Sequence, residues 1–261
     1  MPTLGLVIAL SAEARVLLGP GRFRSGPDGS LPLRRVRLES DLEILCLLCG
    51  PGPASAERAT RELAACGAHA LACLGVSGGL SPELVPGELI LADAVWRAAE
   101  SAAPETVWQA AQTQDETLAV LRRAGLAVRV GPVLGADRPV TSPEAKLALH
   151  RSCGALAVDM ESAAAARTAR ELGLPFLCLR AVCDPQSRAI PPEIDEVLDA
   201  SGNVRLLAVL GRLIRRPSLF RELARMSRDF EAALAALGQA FRLLGREVLP
   251  GLAAQSAAAR G

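Results

Sequence analysis

The chain has 261 residues, half of them hydrophobic and 22% charged, with a formal net charge of +1. A chain of that size buries about three-quarters of its unfolded surface and needs no disulfide or metal staple. A net charge of only +1, 3% aromatics and no tyrosine argue against the basic, ring-lined surfaces that read nucleic acid.

From the N-terminus, "TLGLVIAL" predicts a buried strand, and "SAEARVLL" a helix with Ser11 as its N-cap. "FRSGPDGSLPL" is a surface turn region. "LEILCLLCG" reads as a strand, "GPGPASAERATRELAACG" as a turn and a helix, and "AHALACLGVSGGL" as a strand ending in a glycine-rich loop. "GELILADAVW" is a strand, "DETLAVLRRAG" a helix and "LAVRVGPVLGAD" a strand. "SPEAKLALHRS" is a helix capped by Ser142, "GALAVDM" a strand, "ESAAAARTARELG" a helix ending at Gly173, and "PFLCLRAVCD" a strand. Near-continuous apolar strands alternating with helices imply a buried, mostly parallel sheet covered on both faces. After Asp184 the alternation stops. Residues 203–249 read as Arg-rich helices broken at Pro217, and 250–261 as a disordered tail. The domain expectation is a catalytic unit over 1–202, with 203–249 as its helical extension.

Seven cysteines, an odd number mostly in apolar runs, read as buried thiols in a reducing compartment. With no signal peptide or bilayer-length apolar run, the expected location is the cytoplasm. Cys46 and Cys49 form a C-x-x-C, but a strand turns its alternate residues to opposite faces, and no second pair at zinc spacing follows. No metal or cofactor is expected. His69 and His150 read as turn or cap residues.

In such sheets ligands sit at the carboxyl ends of strands. Four ends here carry chemistry: Glu13 after the first strand, "GVSGGL" at 75–80, "VDMES" at 158–162, and Asp184 closing "LRAVCD". A buried carboxylate without a partner is costly, so Asp159 and Glu161 each require a helix end or a polar ligand. Asp159 is read as structural, and capping is the plain alternative for Glu161.

Together, and in this order over residues 4–184, these segments resemble the nucleoside phosphorylase superfamily, above all its methylthioadenosine/S-adenosylhomocysteine nucleosidases. The stretch from Cys183 to Pro217 further resembles the hopanoid-associated phosphorylases. The resemblance implies a three-layer α/β/α sandwich around a mixed, mostly parallel sheet, plus the C-terminal helices. It implies cleavage of the N-glycosidic bond of an adenine nucleoside, with adenosylhopane yielding adenine and ribosyl- or phosphoribosylhopane. A soluble thioadenosine-type nucleosidase and a non-catalytic nucleoside binder are the alternatives. By the same resemblance Asp184 is the general acid, Glu13 orients the nucleophile, and Glu161 and Met160 hold the ribose. Val76, Ser77, Gly78, Pro139, Val140 and Cys183 line the base and its loops. Val76 replaces the usual serine, Pro139 a stacking phenylalanine and Cys183 a serine. Cys73 stands where many phosphorylases place an arginine, so water and phosphate both remain open as nucleophile. Arg15, Arg138 and Arg188 are unplaced cations. The implied partner is a small nucleoside, with a homodimer or higher oligomer expected. Arg205, Arg212, Arg215, Arg216, Arg221 and Arg225 between leucines suggest peripheral contact with the inner membrane surface.

Overall fold

Nine strands and seven helices form among residues 1–25, 30–99, 103–110, 114–190 and 219–259, which the computed structural model describes. The strands are β1 (Thr3–Ile8), β2 (Leu33–Arg37), β3 (Glu43–Leu48), β4 (Ala70–Gly79), β5 (Leu89–Arg97), β6 (Glu105–Gln109), β7 (Val128–Gly135), β8 (Ala157–Asp159) and β9 (Phe176–Asp184). The helices are α1 (Ser11–Leu18), α2 (Pro53–Ala65), α3 (Asp115–Arg123), α4 (Pro143–Cys153), α5 (Ser162–Glu171), α6 (Leu219–Glu247) and α7 (Leu249–Ala259).

The sheet is mixed. β1 runs parallel to β3 on one side and to β4 on the other. β4 is parallel to β9 and β9 antiparallel to β5. β5 is parallel to β7, β7 to β8, and β8 returns antiparallel to the end of β4. Strands β4, β9, β5, β7 and β8 therefore close a ring. One edge of β4 has two occupants: β1 pairs with Ala70 to Cys73, and β8 takes over at Gly78 and Gly79. Between them the two neighbours diverge and open a crevice. Such a divergence is where open α/β sheets bind ligands.

β2 and β6 lie outside the expected strands. Their sequences, LRRVR and ETVWQ, mix charges with apolar residues, as antiparallel edge strands with one wet face do. Helices α1, α3, α6 and α7 cover one face of the sheet, and α2 and α5 the other.

Two expectations are corrected. Ser11 does not cap α1; it is the first helical residue, and the backbone N–H of the preceding Leu10 is taken by Glu13 Oε2 at 2.9 Å. The C-terminus is not a disordered tail from residue 250, because α7 runs to Ala259. Alanine favours helix strongly, Pro250 is tolerated in a first turn, and Leu249 and Ala253, one turn apart, are buried in the core. Along α6, Ala233, Leu237, Ala240, Phe241 and Leu244 form one buried stripe. Each large side chain there contributes about 1.5–3 kcal/mol by burial, so this half of the predicted helical region covers the sheet. No helix among the described residues is long and apolar enough to cross a membrane. The Pro217 break and Arg205, Arg212, Arg215 and Arg216 lie outside the described residues.

Candidate active site

Glu13 is brought to the crevice by the turn from β1 into α1. Its Oε1 accepts the backbone N–H of Val76 at 2.8 Å, on the stretch of β4 between its pairings with β1 and β8. That approach requires a glycine at 75. A Cβ there would sit 2.7 Å from Glu13 Oε1 and 2.5 Å from Arg180 Nη1, closer than real Cβ atoms come.

Arg180 is buried in the middle of β9, an apolar strand, and is the main site residue that sequence reasoning missed. The signal was present: an arginine inside "FLCLRAV" cannot be solvated. Its Nε lies 2.5 Å from Asp159 Oδ2, though off the N–H direction, so the contact is an ion pair and not a directed hydrogen bond. Its Nη2 donates to Cys73 Sγ at 2.8 Å. Asp159 uses its other oxygen to cap α5, accepting from Ser162 N at 3.1 Å and Ser162 Oγ at 2.7 Å. Asp159 is thus structural in role, while also lining the cavity wall.

Because Asp159 caps α5, Glu161 is released from that duty, and its side chain makes no cap bond. Glu161 Oε1 accepts the Gly52 N–H at 2.7 Å. Burial, then the Asp159 carboxylate, push Glu161 up to about 7, against the pull of Arg180 and the Gly52 amide. Burial also raises Glu13 above its usual range, with the Val76 and Leu10 amides and Arg180 opposing.

Asp184 closes β9 beyond a bulge. The register with β4 steps from Ser77↔Val182 to Gly78↔Asp184, leaving Cys183 as the extra residue. Successive strand residues normally face opposite sides; the bulge lets Cys183 and Asp184 both line the cavity. Burial raises Asp184, opposed chiefly by Lys146, whose Nζ donates to Asp184 Oδ2. Burial and the adjacent Asp184 hold Cys183 far up, as a thiol.

These groups surround one cavity of about 260 Å³. Every residue expected at the site lines it: Glu13, Val76, Ser77, Gly78, Pro139, Val140, Met160, Glu161, Cys183 and Asp184. Ser77 Oγ is buried there with no protein partner. Arg138 and Pro139 form an exposed rim. The other two unplaced cations lie elsewhere: Arg15 is exposed on α1, and Arg188 pairs with Asp229 of α6. His69 accepts the Thr3 N–H, and His150 Nδ1 meets Ala155 O, so both are committed to backbone. Cys46 is buried in the layer under α1 and α6 while Cys49 packs on the opposite layer. No cluster of three metal-ligating side chains exists among the described residues.

The model of the phosphorylase superfamily matches residues 3–208. A futalosine hydrolase from Streptomyces coelicolor is 33% identical over 190 residues, covering 67% of this chain and 78% of that protein. A 5'-methylthioadenosine/S-adenosylhomocysteine nucleosidase from Helicobacter pylori, solved with an inhibitor, superposes with a TM-score of 0.71 at 16% identity, over 94% of this chain and 98% of that one. The Helicobacter pylori futalosine hydrolase gives 0.68 at 17% identity, over 94% and 97%. The last two show likeness of fold.

Proposed function

The chain belongs to the phosphorylase superfamily, and we propose on that premise that it is a purine nucleosidase, cleaving the N-glycosidic bond with water as the attacking group. The observation that carries this reading is the placement of Asp184 and Glu13, from two different strand ends, on the wall of one cavity together with Glu161 and Met160.

Breaking the bond between C1' and N9 leaves positive charge on the sugar and negative charge on the purine. Asp184, as the carboxylic acid, gives its proton to purine N7 while the bonding pair passes into the base. Such acid help is worth about 10²–10⁴ in rate. A water bonds to C1' and loses its proton to the Glu13 carboxylate. That proton returns to Asp184 through solvent, so nucleoside and water become free purine and ribose. Glu161 accepts from the ribose hydroxyls, which supply the partners its second oxygen lacks, and Met160 packs on the sugar. Ser77 Oγ offers a further hydrogen bond to water or sugar.

Water is favoured over phosphate by charge. Asp159 is paired with Arg180 and Asp184 with Lys146, which leaves Glu13 and Glu161 facing the cavity against one lining cation, the rim residue Arg138. Arg180 is already engaged by Asp159 and Cys73. A phosphate dianion would enter a negative field.

For the 5' substituent we read an apolar group. Leu10, Pro51, Val140, Val158 and Ile190 make much of the wall, and the resemblance to hopanoid-associated phosphorylases names adenosylhopane. A methylthio or futalosine-type nucleoside is the alternative that the relatives suggest. Purine release from adenosylhopane, 5'-methylthioadenosine and futalosine, each with and without phosphate, tests both points. Release that requires phosphate overturns hydrolysis, and no release from any of the three overturns the nucleosidase reading.

A further inference from the structure

Of the 29 lysines and arginines in the chain, one is a lysine, Lys146. It is also the largest of the fully buried side chains, with 0% exposure. It sits in the first turn of α4, where a cation opposes the helix dipole. Burying an ammonium is costly unless it is paired and its donors are satisfied. Here three acceptors meet its three N–H groups: Asp184 Oδ2, Pro185 O at 3.3 Å and Arg188 O at 3.2 Å. A planar guanidinium could not direct three donors to that set from one nitrogen. A chain that otherwise uses arginine throughout has placed its compact cation behind the acid of the site.

We propose that Lys146 is a positioning residue for the reaction described above: it binds Asp184 Oδ2, turns Oδ1 toward the purine, and stabilises the carboxylate that Asp184 becomes when its proton has passed to N7. The inference rests on the nucleosidase reading. The other groups facing Asp184 are weaker. The Cys183 thiol lies 3.5 Å from Oδ1, Arg188 is neutralised by Asp229 of α6, and β4 presents Gly78, whose missing side chain leaves room for the carboxylate. Glu13 lines the same cavity. Burial favours the protonated acid that must donate, and Lys146 opposes it. The acid is thereby kept strong enough to release its proton.

The test separates acid help from mere integrity of the site. Lys146→Met and Lys146→Gln are compared with the wild-type full chain on two substrates, 5'-methylthioadenosine and p-nitrophenyl β-D-riboside, whose leaving group departs without a proton. Purine release should fall about 10–100-fold in both variants, because a weaker acid transfers its proton less readily. The alkaline limb of the purine profile should move up by at least about one pH unit, a tenfold change in proton affinity. Release of p-nitrophenolate should stay within about threefold of wild type, since it requires no acid. Equal slowing on both substrates, an unmoved alkaline limb, or failure of both variants to fold would make the lysine purely structural and overturn the proposal. A wild-type chain that releases p-nitrophenolate but no purine from 5'-methylthioadenosine, adenosylhopane or futalosine would remove the nucleosidase reading itself, a distinguishable result.

Discussion

Glu161 should make the folded chain less stable as pH rises, and Glu161→Gln should abolish that loss. The ordinary value of 4.5 is raised to about 7 in the fold, mainly by burial and then by the Asp159 carboxylate. A raised folded value means that the native state holds the proton more tightly than the unfolded chain. The stability from that proton is complete below about pH 4.5 and is lost as pH rises to about 7. A shift of about 2.5 units at about 1.4 kcal/mol each gives a loss of about 3 kcal/mol. Glutamine retains an oxygen for the Gly52 N–H and carries no charge. The variant should match wild type near pH 4 and exceed it by up to about 3 kcal/mol at pH 8, or about 6–12 °C in Tm for a chain of this length. Urea unfolding of both proteins across that range measures the difference. A difference of either sign that does not change with pH would refute the reasoning, because only ionisation of Glu161 makes it pH-dependent.

Other outcomes follow from the same geometry. Asp184→Asn should lose about 100-fold or more in purine release and also stability, because the buried Lys146 loses its counter-ion; near-normal turnover by adenine assay would remove Asp184 as the acid. Arg180→Met leaves Asp159 buried without its cation and should cost about 3–5 kcal/mol in denaturant unfolding. Gly75→Ala forces a Cβ against two buried side chains, Arg180 and Glu13, and should cost about 1–3 kcal/mol with loss of activity. A 2'-deoxyriboside should be cleaved far more slowly than the riboside, and Glu161→Gln should narrow that gap. An unchanged ratio in steady-state kinetics would detach Glu161 from the ribose.

What the sequence determined by itself is the layered α/β scaffold, its glycine loop and the carboxylates at its strand ends; the sugar and base-loop residues came through the family resemblance. Buried strands announce themselves as apolar runs, and carboxylates at the ends of "GLVIAL", "ALAV" and "LRAVC" stand out because burial makes a lone charge costly. The edge strands β2 and β6 were not legible. Their mixed charged pattern resembles loop, and only pairing to β3 and β5 makes them strands. The helix at the C-terminus was hidden by small residues that look featureless until Leu249 and Ala253 find the core. Tertiary structure alone decided how the charges divide their tasks. Asp159 and Glu161 are two residues apart and chemically alike, yet one caps α5 and binds Arg180 while the other meets Gly52 across 109 residues of chain. Lys146 is 38 residues from Asp184 and a single letter in an ordinary helix. Local pattern records burial and periodicity, which each segment carries within itself. Partnership between charges depends on distances that exist only after the ring of strands has closed.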